Sequence, residues 1–121
     1  MTAESMDIDE FRKLAQQVVE KEVPEDLLKA LNLGITVLPD LYEEDESVIM
    51  GEYVVNELGN LIVLYYGSFA AYLENAPRSS WMEEIRDTIK HELQHHIEDM
   101  AGEETLARME EEMDFFEGEN D

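Results

Sequence analysis

Three histidines, the only three in the chain, lie within six consecutive positions at His91, His95 and His96. With Glu92, the first two form the pattern H-E-x-x-H. On a helix, residues i and i+4 have Cβ atoms about 5–6 Å apart, so both imidazoles can reach one metal ion. The chain has no cysteine, so a transition-metal site has to use His and carboxylate. We therefore predict Zn2+ ligands at His91 and His95.

Glu92 is predicted to act as the catalytic general base of such a site. In the H-E-x-x-H pattern the glutamate does not bind the metal. It accepts a proton from the activated water and passes it to the leaving amine. The chemistry that the pattern indicates is hydrolysis of a peptide bond.

Helical periodicity divides the histidines into two kinds. An apolar stripe at helical spacing runs along this segment through Trp81, Ile85, Ile89, Leu93, Ile97 and Met100. His91 and His95 fall outside the stripe and on a common face, as ligands of one ion must. His96 falls within the stripe, so we expect a packed or hydrogen-bonded core histidine there.

The first half of the chain is predicted to supply two helices and a strand. Apolar spacing indicates a helix from Ile8 to Val23, with Asp7 or Asp9 as its N-cap. Pro24 suits the start of a second helix, Glu25 to Leu31. Ile35–Leu38 has the composition of a brief strand, and residues 40–47 (DLYEEDES) are expected to form a charged loop.

The middle and the end of the chain are predicted to supply two more strands and the helix that carries the motif. Val48–Val55 and Leu61–Tyr66 flank a turn and give, with the first strand, a sheet of about three strands. Ser80 to Glu83 has the form of a capping box for a long helix from Trp81 to about Ala101. A last acidic helix is expected over 103–116. The prediction is one α+β domain over 1–121, with flexible ends at 1–7 and 117–121.

The charge of the chain limits its partners. It has 31 acidic and 8 basic residues and a formal net charge of −23. Nucleic acid and anionic membranes are poor partners, because both require a positive surface. A basic peptide or protein remains compatible with this charge. The N-terminus has no secretory signal and no apolar run is long enough to span a bilayer, so the expected location is the cytoplasm.

Two segments, residues 49–69 and 83–102, resemble the minimal zincin-like metallopeptidase family of bacteria. They contain a Gly-aromatic strand, a turn, a Leu-Tyr strand, Thr88 and the doubled histidine after H-E-x-x. The resemblance implies a small α+β zincin-like domain and a zinc-dependent peptidase acting on peptides or proteins. It also implies that an edge strand pairs with the substrate and that a tyrosine near the metal donates to the oxyanion. Tyr65 and Tyr66 are candidates for that tyrosine, although packing in the β-rich core is the more ordinary role.

The third metal ligand does not carry over from the family. Its common form continues as H-E-x-x-H-x-x-G-x-x-D, whereas this chain has Glu98 at the glycine position and Ala101 at the aspartate position. Glu98 lies on the ligand face and is equally expected to hydrogen-bond to His95 from outside the metal shell. The carboxylate candidates that remain lie further along the chain at Glu103, Glu104, Glu110–Glu112 and Asp114.

Three functions are therefore compatible with the sequence. The leading hypothesis is a zinc metallopeptidase that uses His91, Glu92 and His95. The second is a non-catalytic acidic interaction domain that retains a zincin-like fold and binds a basic partner, and the missing aspartate favours it. The third is metal sequestration at the histidine pair. The sequence does not indicate an oligomeric state.

Overall fold

The computed structural model describes residues 6–100, which form four helices and five strands. The elements, in chain order, are α1 (Ile8–Glu22), α2 (Glu25–Ala30), β1 (Ile35–Leu38), β2 (Tyr42–Glu44), β3 (Ser47–Ile49), β4 (Gly51–Asn56), β5 (Gly59–Tyr65), α3 (Tyr66–Leu73) and α4 (Arg78–Met100). The predicted α+β class is confirmed, as is the long helix that carries H-E-x-x-H.

The three-stranded sheet has the order β1-β5-β4. The central strand β5 runs parallel to β1 and antiparallel to β4. Its residue Ile62 pairs with Ile35 on one side and with Tyr53 on the other. Ile62 and Leu64 are completely buried, which explains the near-continuous apolar composition of β5. The sheet of about three strands is therefore confirmed.

Two details of the β-region differ from the prediction. Residues 40–47 do not form a loop throughout, because β2 and β3 pair as an antiparallel hairpin with Tyr42 opposite Ile49. Its turn places Asp45 and Glu46 at φ 51° and 65°. The strand predicted over Val48–Val55 is interrupted at Met50, between β3 and β4. Cross-strand pairing and the packing of Tyr42 on a neighbouring aromatic ring outweigh the low strand propensity of the acidic residues.

The hydrophobic core lies between the sheet, α1 and α4. The buried face of α4 contains Trp81, Ile85, Ile89, Leu93 and Ile97, all at most 1% exposed. These five residues confirm the predicted apolar stripe, and the side chain of its sixth member, Met100, lies outside the described part of the structure. Phe11 of α1 packs edge-on against Phe69 of α3 and Trp81 of α4, at ring-centroid distances of 4.8 and 6.1 Å. It therefore links α1 to both of these helices.

The helix starts agree with the sequence signals in one case and differ in another. Asp7 caps α1, since its carboxylate accepts a hydrogen bond of 2.9 Å from the backbone N–H of Glu10. The capping box predicted at Ser80 is wrong, because α4 begins at Arg78 and Ser80 lies in its first turn. The carbonyl of Pro77 already accepts the N–H of Ser80 at 2.9 Å. The predicted last helix lies outside the described residues.

Candidate metal centre

The helix α4 lies unusually close to β4 where the motif begins. A Cβ atom added to Gly51 would lie 2.8 Å from Cγ2 of Thr88 and 3.0 Å from the carbonyl oxygen of Val63. Only glycine permits this approach. As a result, the helix turn that precedes His91 lies directly against the start of β4.

His91, Glu92 and His95 form the candidate metal site. One possible ligand atom from each residue lies within 4.8 Å of the others. The two imidazole rings are nearly perpendicular, with centroids 4.9 Å apart. Their Nε2 atoms face each other at 3.3 Å. Within residues 6–100, these three side chains form the group that lies close enough together to hold a metal ion.

This geometry fits a zinc ion. Two nitrogens bound at about 2.0–2.1 Å to a tetrahedral zinc lie about 3.3–3.4 Å apart. The observed Nε2 separation of 3.3 Å matches that value. Both histidines are exposed, so a metal ion has access to the pair. The donor set of two imidazoles and a nearby carboxylate is one that zinc accepts.

Glu92 differs from both histidines because it is buried, with 8% of its surface exposed. Burial raises the pKa of its carboxyl group above the ordinary value, and Glu52 raises it further. His91, His95 and a backbone hydrogen bond from Tyr53 oppose this rise. A carboxylate with a raised pKa accepts a proton more readily than an exposed glutamate does.

His96 belongs to the core, as its position in the apolar stripe predicts. It is fully buried, and its Nδ1 lies 2.9 Å from the hydroxyl of Tyr53. Burial lowers the pKa of the imidazole, and Asp99 partly opposes this shift. The Tyr53 hydroxyl also lies 3.0 Å from the Asp99 carboxylate and 2.6 Å from the Asn60 side-chain nitrogen. Because that hydroxyl has one proton, donation to Asp99 leaves Nδ1 of His96 as the donor to Tyr53.

Glu98 lies beside His95 but on the side of the ring away from the metal cluster. Its Oε1 atom is 3.9 Å from Nδ1 of His95, whereas Nε2 faces His91. A carboxylate on the Nδ1 side of a metal-binding imidazole can hold the orientation of the ring from outside the metal shell. This position favours the outer role that the sequence left open for Glu98. The other third-ligand candidates, at 103, 104, 110–112 and 114, lie outside the described residues.

The two candidate tyrosines have other partners. Tyr66 donates a hydrogen bond to the carbonyl of Met6 and packs against Phe11, so it is part of the core. The hydroxyl of Tyr65 donates to Glu52 at 2.7 Å. Burial, followed by Glu52, raises the pKa of Tyr65. Neither hydroxyl is hydrogen-bonded to the histidine pair.

Sequence reasoning overlooked Tyr53, the residue that connects β4 to the motif helix. Its backbone reaches Glu92, and its hydroxyl reaches His96 and Asp99. The alternation of Gly51, Tyr53 and Val55 along the strand was the available signal, since every second residue of a strand faces the same side.

Fold and site together define a compact zincin: a small sheet with an H-E-x-x-H helix packed across it. A family model for zincin-like metallopeptidases matches residues 15–113, and the chain belongs to this family. Its structure is similar to that of a conserved hypothetical protein from Thermus thermophilus, at 32% sequence identity and a TM-score of 0.70. The match covers 79% of this chain and 98% of that one. No curated protein matches the sequence. Within the described residues, no helix has the length and apolarity to cross a bilayer.

Proposed function

We propose that this protein is a zinc-dependent peptidase that hydrolyses peptide bonds in peptides or proteins of the cytoplasm. The observation that carries the proposal is the convergence of the His91 and His95 Nε2 atoms at 3.3 Å, with the buried Glu92 in the same cluster. Membership of the zincin-like metallopeptidase family supports it. Zinc is the metal that the donor set and the nitrogen separation fit.

His91 and His95 would hold the zinc ion through Nε2. When bound, zinc supplies Lewis-acid activation of water and of the scissile carbonyl. The third protein ligand is proposed to be a carboxylate from Glu103, Glu104 or the segment 110–114.

Glu92 would hold and move the proton in this reaction. Its carboxylate takes a proton from the attacking water and transfers it to the amine that leaves. Burial favours this role because it raises the affinity of the carboxylate for a proton. The backbone hydrogen bond from Tyr53 holds the Glu92 carboxylate in a fixed orientation.

The edge strand β4 would orient the substrate. The sheet order leaves one edge of β4 without a neighbouring strand among the described residues. A peptide in extended conformation can add to such an edge through backbone hydrogen bonds. The backbone of Tyr53 in β4 hydrogen-bonds to Glu92, so a peptide added to this strand would pass close to the metal cluster.

The experiment that tests the proposal compares wild type with Glu92→Gln and His91→Ala, each purified without chelator. We expect about one zinc per chain in wild type and in Glu92→Gln, but none in His91→Ala. Hydrolysis of an unbiased peptide library, followed by mass spectrometry, is expected only from wild type. Loss of a general base costs roughly 10²–10⁴-fold in rate. Equal cleavage by wild type and Glu92→Gln would refute the catalytic role of Glu92.

The second candidate function is a non-catalytic acidic domain that binds a basic partner. The observation that favours it is the absence of the family's aspartate at position 101, where this chain has alanine. If the protein is such a non-catalytic domain, wild type in the same experiment should bind no zinc, even after zinc is supplied, and should cleave none of the library peptides.

A further inference from the structure

The helices of residues 6–100 pack on one face of the three-stranded sheet. Along the central strand β5, Ile62 and Leu64 belong to the hydrophobic core cluster, to which α1, α2, α3 and α4 all contribute. Alternate residues of a strand point to opposite faces, so Leu61, Val63 and Tyr65 point away from that cluster. Among the described residues, none of these three is part of it. The sheet therefore has an outer face that these four helices do not cover.

The outer face has the composition of a buried surface. Val63 is 7% exposed, and Leu61 pairs with Val54 of β4. At one end of the face, Tyr42 packs on Tyr65 with ring centroids 5.1 Å apart. A strand with one solvated face alternates apolar and polar residues, whereas β5 has an apolar or aromatic residue at every position from 61 to 65. This pattern indicates that a further element covers the outer face.

A second copy of the chain does not fit this face well. With strands about 4.8 Å apart and a rise of about 3.3 Å per residue, the face measures about 14 by 20 Å, or roughly 280 Å². A stable dimer buries about 800 Å² on each partner. The net charge of −23 on each copy adds repulsion. A face this small favours a segment of the same chain, because a covalent tether raises the effective concentration of that segment.

The chain that follows α4 contains a segment of matching character. Leu106, Met109, Met113 and Phe116 recur at helical spacing and would form one apolar stripe on the acidic helix expected over 103–116. The same spacing places Glu111 on the opposite side, toward solvent. At a rise of 1.5 Å per residue, residues 106–116 would extend over about 15 Å, which is close to the length of the outer face.

The end of α4 lies within reach of the outer face. Asp99 is 3.0 Å from the hydroxyl of Tyr53 in β4, and β4 is an edge strand of the sheet. The chain therefore has to pass only one strand to change faces. Two layers on opposite faces of a sheet lie about 20 Å apart. The six Cα–Cα steps from Met100 to Leu106 span about 20 Å when extended.

We propose that residues 106–116 dock as an amphipathic helix on the outer face of the sheet, with Leu106, Met109, Met113 and Phe116 against Leu61 and Val63. The sheet then becomes the middle layer between this helix and the core formed by α1 and α4. Among the third-ligand candidates, Glu103 and Glu104 precede the docked helix and stay on the side of α4. The docking does not depend on peptidase activity.

The test uses pairs of introduced cysteines in the full chain, which has no cysteine of its own. Under mild oxidation, Leu61→Cys/Met113→Cys should form a disulfide within one chain about tenfold faster than Lys13→Cys/Met113→Cys, because docking raises the local concentration of the thiol. Lys13 is exposed on α1, on the other side of the sheet, and is the matched control. Equal rates for the two pairs overturn the proposal. A product that is mainly a disulfide-linked dimer also overturns it, and assigns the outer face to a second copy.

A second pair of variants leaves the sheet unchanged and tests the same contact. Met109→Gln/Met113→Gln removes apolar side chains from the stripe, and Ala107→Gln/Phe115→Gln removes them from the opposite side of the segment. Urea denaturation should show a lower midpoint for the first variant than for wild type, and an unchanged midpoint for the second. Equal midpoints for both variants contradict the docking.

Discussion

Cγ2 of Thr88 lies 2.8 Å from the position that a Cβ atom on Gly51 would occupy. This contact joins the helix that carries H-E-x-x-H to the first residue of β4. It fixes how deeply the helix packs on the sheet, and therefore where His91 and Glu92 stand relative to the strand edge.

Substitution Gly51→Ala should destabilise the protein by about 1–3 kcal/mol, because the added methyl group overpacks this contact. Chemical denaturation would measure the loss. Thr88→Ser removes the nearest methyl group, so the double variant should recover part of it. The contact with the Val63 carbonyl at 3.0 Å remains in that variant. A stability for Gly51→Ala equal to that of wild type would contradict the predicted close packing.

Zinc should stabilise wild type through the histidine pair. At a free zinc concentration of one hundred times Kd, the free energy of unfolding should increase by about 2.7 kcal/mol. His95→Ala should show no such increase, although its stability without metal should stay within about 0.5 kcal/mol of wild type because the residue is exposed. Thermal unfolding with and without zinc measures both quantities. Equal stabilisation of the two proteins would place the zinc elsewhere.

Tyr53→Phe should destabilise the protein by about 1–3 kcal/mol. The variant leaves the buried Nδ1 of His96 without its partner, and it removes a hydrogen bond from Asn60 and from Asp99. Tyr72→Phe is the matched control, because Tyr72 is 63% exposed and its loss of a hydroxyl should have little effect. Urea denaturation of both variants would measure the difference, and similar small losses would contradict the network.

Glu84→Gln should stabilise the folded protein at neutral pH. Burial and the neighbouring acids raise the folded-state pKa of Glu84 above its ordinary value of 4.5, so ionisation opposes folding. Below pH 4.5 the carboxyl is neutral in both states and the advantage of glutamine disappears. The advantage of glutamine grows as the pH rises from the unfolded-state pKa to the folded-state pKa, and it is complete above the latter. We expect a gain below about 1 kcal/mol because the side chain is partly exposed to solvent. Unfolding curves from about pH 4 to neutral pH test the sign, and a variant less stable than wild type at neutral pH would contradict it.

Agreement between sequence and structure is closest where interactions are local. The extent of α1, its cap at Asp7 and the buried stripe of α4 depend on residues three or four positions apart. The predicted capping box at Ser80 failed because Pro77 starts α4 one turn earlier. The hairpin of β2 and β3 was overlooked because its acidic residues have low strand propensity, whereas its stability comes from cross-strand pairing.

The sequence by itself determined that His91 and His95 share one helical face and that His96 faces the core. Helical geometry sets those directions whatever the rest of the chain does. Only the tertiary structure decided that Glu92 is buried, that Tyr53 reaches both Glu92 and His96, and that Glu84 and Asp87 line a cavity beginning at the metal cluster. These properties come from packing between β4 and α4, whose contacting residues lie far apart in the chain, as Tyr53 and His96 do. Helical periodicity predicts which face a residue occupies, but it does not predict which strand covers that face.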